Sequence, residues 1–455
     1  MKPKSSNRFL FSLRSLFNSS GVTLAMALTA SPLFAAGGSW NVDAAGSWET
    51  ASNWTPVAVP GTAAGDAVNL LFNISAARTV TIGTGVTATV GDLNIGDPTA
   101  TVFAYTLAAG GTGSISLDGT GTTDATVDIT SNVVNTISAP ITLVDNGVIR
   151  SNVASQHVLS GIISGTGKSL TLNNDVDGVS TASGLNNGQF TLGGTNTYTG
   201  GTNISDVRVG VSNAAGLGTG AVNITGPGQV YAASAITLAN NFTLNSTGWA
   251  ETGFNFGALR LENGATVSGT ITLAQNSTVG SFVGGVGTAT GAGNLRGVIS
   301  GAFSLTKTGA GTIIINNTTA ANTYSGGTTI SQGVLSIGTG GTGADTARVD
   351  ALGSGAVTVN SSGTLQLWIR NNASFTIANN LTVNGGTLRN EDGIHTLSGT
   401  LAVGASGATI YSRYDTKNLT LGGVISGTGL VTLDADGSTI LLTNSNTYSG
   451  GTTIS

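Results

Sequence analysis

The chain has no cysteine and little of what enzymes are usually built from. Of its 455 residues 8% are charged and 5% aromatic, two are histidine and seven are proline. Without cysteine no disulfide framework can hold the fold, so cohesion must come from repetitive packing. Scarce charge and histidine leave few acids, bases or metal ligands to converge on one site. Low charge alone would fit a disordered chain, yet 39% hydrophobic residues supply apolar surface to bury. What is abundant is glycine, at 70 residues, well above the usual share of about 7%. An ordered, turn-rich β protein is expected.

The first 36 residues have the pattern of a signal peptide. Lys2, Lys4, Arg8 and Arg14 form a positive region, "GVTLAMALTASPLF" is an apolar stretch too short to span a bilayer comfortably, and "FAAGG" offers small residues for cleavage. The mature chain is therefore expected to be exported. Its net charge of about −9, once those four basic residues are removed, argues against a nucleic-acid partner. No second stretch is long and apolar enough for a transmembrane helix.

Three of the five tryptophans fall between Trp40 and Phe72. Residues 37–75 are read as a Trp-rich cap, because stacked architectures need an atypical end to cover the first open face; the alternative is a module whose indoles stack on sugar rings. Beyond it, apolar residues pair at spacing two: Val80 and Ile82, Leu259 and Leu261, Ile271 and Leu273, Leu381 and Val383. That alternation is a strand signal. The glycine-led strands "GTLQL", "GTLRN" and "GATIY" begin 23 and 21 residues apart, about one coil of a β-solenoid. Some 18 coils of roughly 22 residues, stacked about 4.8 Å apart, would make a rod near 85 Å long.

A longer cycle overlies the short one. "NTYTGGTNIS" at 196–205 is followed by "NTYSGGTTIS" at 322–331 and again at 446–455, at intervals of 126 and 124 residues. "GIISGTG", "GVISGAF" and "GVISGTG" precede the three copies, from Gly161, Gly297 and Gly423. The run from Gly297 to Asn360, "GVISG…SLTKTGAGTIIINNTTAANTYSGGTTISQGVLSIG…ALGSGAVTVN", resembles the autotransporter-associated β-strand repeat of bacterial passenger regions. The resemblance covers most of the chain from about 160 onward, and the Trp-rich head is similar to the beginnings of such proteins. It implies an all-β fold, a right-handed parallel β-helix (β-solenoid) over residues 76–455, with export and display on, or release from, the cell surface or outer membrane.

The repeated phrase is read as a corner. Asn196, Asn322 and Asn446 would join hydrogen-bonded ladders between coils, and Tyr198, Tyr324 and Tyr448 would pack over the corner with the hydroxyl reaching solvent. The glycine pairs Gly200 and Gly201, Gly326 and Gly327, and Gly450 and Gly451 would make the tight bend, since glycine accepts positive φ.

Sharper chemistry finds little footing. "GIISGTGKS" at 161–169 has five residues between Gly161 and Gly167, where a phosphate-binding loop needs four before its Gly-Lys pair. Asp175 with Asp177, and Asp434 with Asp436, resemble calcium loops but lack the distal glutamate; ordinary Asx turns are the plainer reading. His157 and His395 are read as tolerated strand-entry residues. Arg370, Arg389, Glu391, Asp392, Arg413, Asp415 and Lys417 cluster within 48 residues, either as a solvated charged edge that discourages lateral pairing or as a polysaccharide-cleaving site. The expectation is a monomeric, non-catalytic surface passenger, stalk or adhesin without cofactors. Its partners would be a surface glycan or a ligand on a host or neighbouring cell, and an outer-membrane translocator. A glycan-binding protein or a β-helix hydrolase or lyase is the alternative. Ending at Ser455 in mid-phrase, the sequence is read as a fragment of a longer product.

Overall fold

The structure is a computed structural model that describes residues 37–175, 188–251, 253–317, 320–338, 350–369 and 374–455. The leader, Asp177 and Arg370 lie outside the described residues. Within them, apart from a three-residue 3-10 turn at Ala51–Asn53, all regular structure is strand. Most strands are short, carrying only two or three inward side chains before the chain turns; Thr328–Ile337 and Val357–Trp368 run to 10 and 12 residues. Phe242–Asn245 shows the pattern: Phe242 and Leu244 are buried and the residues between and after them face outward.

A strand this short is not stable alone and gains its hydrogen bonds from the coils above and below. Thr202–Ser205, Val222–Thr225, Phe242–Asn245 and Ile271–Leu273 pair in parallel, each with the next. The pairing puts Leu172, Ile204, Ile224, Leu244 and Leu273 in one continuous inward column. All five are at most 1% exposed. The glycine-led strands stack likewise, with Leu365 on Leu388 and Leu388 on Ile410. The chain is a parallel β-solenoid of about 15 turns. Among the described residues, antiparallel pairing beyond isolated bridges such as Asn360 with Gly385 is found at the contact of Gly38–Trp40 with Trp54–Thr55 and in a hairpin of Trp249–Glu251 and Phe254–Gly257.

The turns are fewer and longer than the sequence spacing predicts. Successive coils are 20 residues apart between Asn203 and Asn223 but 34 between Asp92 and Thr126. Only the strands must keep register; a connection can lengthen at an entropic cost that grows slowly. The longer coil is organised by Asp97, 4% exposed, whose carboxylate accepts from Thr99 N, Thr99 Oγ1 and Phe103 N.

Outward polar residues also form columns. Asn94 donates to Asn69 at 3.0 Å and Asn223 to Asn203 at 3.0 Å. Ile224→Ala is expected to cost about 2–5 kcal/mol by opening a cavity in the column, and outward Thr243→Ala to stay within about 0.5 kcal/mol. Urea midpoints of the two variants check this difference.

Candidate functional site

The repeated phrase lies beside a short preceding segment that it covers in parallel. Thr197 N donates to Ile163 O, and Thr323 N and Thr447 N donate likewise to Ile299 O and Ile425 O. The asparagine before each threonine completes the contact. Asn196 Oδ1 accepts from Ile163 N at 2.8 Å, as Asn322 does from Ile299 N and Asn446 from Ile425 N. Asn196 and Asn322 also reach forward, donating from Nδ2 to Gly216 O at 2.6 Å and Ala351 O at 2.7 Å. Each of these two amides therefore joins three successive coils.

Tyr198 and Tyr324 are fully buried, a correction to the expectation that their hydroxyls reach solvent. Each hydroxyl lies 2.6 Å from the threonine that directly follows the glycine pair: Tyr198 from Thr202 and Tyr324 from Thr328. Because Thr202 Oγ1 donates to Leu217 O and Thr328 Oγ1 to Leu352 O, the tyrosines must be the donors to threonine. A buried hydroxyl needs such a partner, and the four-residue spacing from Tyr to Thr supplies it inside the phrase. Burial pushes both phenol pKa values up. Tyr448 is half-buried and repeats the bond to Thr452 at 2.6 Å.

The two glycines answer different needs. Gly201, Gly327 and Gly451 have φ of 99°, 88° and 82°, a region that L side chains rarely adopt. Gly200, Gly326 and Gly450 are needed for space: a Cβ there would lie 2.4 Å from Lys168 C, 2.2 Å from Phe303 C and 2.2 Å from Gly429 C. Sequence reasoning missed a further pair of clamps. Asn240 donates to Gly218 O and Gly220 O, and Asn379 to Gly353 O and Gly355 O. Their signal was available in "NNFTL" and "NNLTV", one after each of the first two corners.

The other candidates separate in space and role. Trp40, Trp48 and Trp54 are buried in an edge-to-face cluster with centroids 5.1 and 4.8 Å apart, so their faces are not free to stack on sugars. The charged group is only in part a solvated edge: Asp415 is exposed, but Glu391 is not. Glu391 is 2% exposed and held by Arg389 at 2.5 Å and Arg413 at 2.7 Å, while Lys417 pairs with Asp392 at 3.2 Å. A carboxylate this buried requires such partners. Asp436 accepts from Tyr411, Lys168 pairs with Asp145, and no group of three or more possible metal ligands occurs among the described residues.

His157 and His395 lie in separate coils, both buried. His157 Nδ1 accepts from Asn135 N at 3.3 Å, so the proton sits on Nε2 and is shared with Ser151 Oγ at 2.9 Å. Lys307, buried where its column neighbours are Val279 and Ile330, gives its three donors to Thr308 O, Gly309 O and Gln332 O. Burial lowers its pKa to about 7, and the three carbonyls oppose that fall.

A stack of short coils closed by a repeated polar corner defines a repetitive β-solenoid. Three segments, 186–206, 305–337 and 426–455, match the Passenger-associated-transport-repeat family, and each contains one copy of the phrase. The three segments are thus similar to that repeat, which is consistent with an autotransporter passenger repeat protein. Such passengers are exported to the cell surface or extracellular space and associate with an outer-membrane translocator. No curated protein and no solved structure matches the chain.

Tyr324→Phe is expected to cost about 1 kcal/mol, the net value of one buried hydrogen bond. Gly326→Ala should cost several times more, because the backbone of the preceding coil must move; chemical denaturation ranks the two. Burial lowers the pKa of both histidines to about 4, below the unfolded value of about 6.5. Their neutral forms therefore contribute stability that is fully present above about pH 6.5 and is lost as pH falls toward 4, on the order of 3 kcal/mol each. Melting temperatures of the wild type and His157→Gln between pH 7 and 5 should converge as the pH drops.

Proposed function

We propose that this chain is a passenger stalk with an adhesive surface and no catalytic role. In this reading residues 1–36 direct export, 37–75 cap the first coil, and the phrases at Asn196, Asn322 and Asn446 specify corners that keep later coils in register. The observation that carries it is where the charge goes. Arg150 bonds Asp128 from 22 residues away, Lys168 bonds Asp145 from 23 and Arg413 bonds Glu391 from 22, each about one coil. Acids and bases are thus spent holding neighbouring coils together. A polysaccharide-cleaving site needs two carboxyl groups free to act on a glycosidic bond, and Glu391, the most buried acid of the charged group, is committed to two arginines.

Cells displaying the chain are expected to adhere to glycan-coated or cell-coated surfaces, and the purified chain to release no reducing ends from polysaccharides. Polysaccharide turnover that falls in the double variant Asp392→Asn, Asp415→Asn would overturn the non-catalytic reading; display without adhesion to any surface would overturn the adhesive one.

A further inference from the structure

One outward column departs from the rest. On most faces the outward polar residues are bonded to their neighbours one coil away, as Asn223 is to Asn203. In the column running through Thr191, Gly210, Tyr231 and Arg260, the tyrosine has a side-chain neighbour within the column on one side only, while the Arg208 guanidinium reaches to 5.7 Å from its ring centroid from two residues before Gly210. The Arg260 guanidinium lies 4.5 Å from its ring centroid. On the other side stands Gly210, which has no side chain to cover the ring. A notch of about 140 Å³ opens there, lined by Gln156, Thr191, Gly210, Ser212 and Tyr231 among others.

The next long cycle closes the matching place. Its register pairs Ser336 with Gln366, where the first cycle pairs Gly210 with Tyr231. Gln366 is fully buried, donates to Ser336 Oγ at 3.1 Å and accepts from Gly287 N, which arrives from a loop 79 residues earlier. The repeat can therefore bond the two facing positions to each other, whereas in the first cycle Gly210 offers no side chain and the Tyr231 hydroxyl donates to Glu262 at 3.1 Å.

We propose that the Gly210–Tyr231 notch is a binding subsite for a single neutral sugar ring. The part of the Tyr231 ring that lines the notch offers a platform for the C–H face of a pyranose, and a tyrosine gives this contact area at low entropic cost. Bare backbone at Gly210 lets the ring approach closely. The Gln156 amide, whose Nε2 is 3.1 Å from where a Gly210 Cβ would stand, is positioned to bond ring hydroxyls, with the hydroxyls of Thr191 and Ser212 beside it. Few well-placed polar groups around an apolar platform are what a small-ligand site needs. No carboxylate or amine lines the notch, and the two nearby arginines are paired, Arg260 with Glu262 at 2.8 Å and Arg208 with Glu251 at 3.6 Å, which favours a neutral sugar over a uronate. The size suits one ring and weak, millimolar binding, which gains in avidity only when many chains meet many glycans.

This subsite rests on the adhesive reading, and the test separates the two. Saturation-transfer NMR on the purified chain with neutral methyl glycosides of glucose, galactose, mannose and N-acetylglucosamine should give signal for at least one. Tyr231→Ala should abolish that signal, and Gly210→Val, which fills the notch at a residue without positive φ, should reduce it at least tenfold with the melting temperature kept. Methyl glucuronide should bind more weakly than the neutral sugar. Absence of signal from every neutral glycoside, or binding unchanged in a folded Gly210→Val, overturns the subsite. If displaying cells adhere equally well with Tyr231→Ala, adhesion lies elsewhere and only the subsite fails; if the wild type does not adhere at all, the adhesive reading fails.

Discussion

The spacing between parallel strands governs everything else in this molecule. With coils about 4.8 Å apart, the closest neighbours of a residue are its counterparts one coil before and after, here 19 to 34 residues away in sequence. An inward position is therefore judged by the column it joins. Leu172, Ile204, Ile224 and Leu244 can follow one another because each presents a similar apolar volume to the next. At the corners the same spacing leaves so little room that the backbone at Gly200, Gly326 and Gly450 would drive a Cβ into the preceding coil.

Tight stacking also explains how a nearly uncharged chain affords buried polar groups. A backbone that turns at a corner leaves carbonyls and amides without strand partners, and each must be satisfied if buried. Asparagine does this with one side chain, accepting from one coil and donating to another, as Asn196 does between Ile163 and Gly216. Tyr198 and Thr202 meet the same need as a relay ending on Leu217 O. Charges are admitted to the interior on the same terms: Glu391 between two arginines, Lys307 under three carbonyls.

The architecture was legible because the solenoid writes one rule many times. Alternation at spacing two identified strands, and the 23- and 21-residue intervals of the glycine-led segments match coils that stack, with Leu365, Leu388 and Ile410 in one column. The number of turns was less legible. Connections such as the one around Asp97 lengthen individual coils without touching the strands, so an average interval undercounts residues per turn. The depth of Tyr198 and the clamps at Asn240 and Asn379 were hidden for a different reason. Tyrosine and asparagine are polar on average, and only the coil stacked on them decides whether their polar atoms meet water or a carbonyl.

Lys307 shows why differences between cycles carry more information here than identities. Positions alike in every cycle report what stacking requires, since the same spacing acts at every turn. Where the central cycle writes "LTKT", the first has "LTLN" and the last "VTLD", and in the first Leu172 is buried as Lys307 is. Stacking alone would accept leucine at all three. A buried ammonium costs far more than a leucine unless it is fully bonded, and the carbonyls of Thr308, Gly309 and Gln332 bond it only because the glycine-rich turn after it curls back over its end. The turn and the lysine are therefore one unit: with Gly309 and Gly333 both at positive φ, the bare carbonyls face inward, and the lysine supplies the donors they would otherwise lack. A single inward substitution is thus explained by the shape of the following corner, the level at which this chain encodes its individual turns.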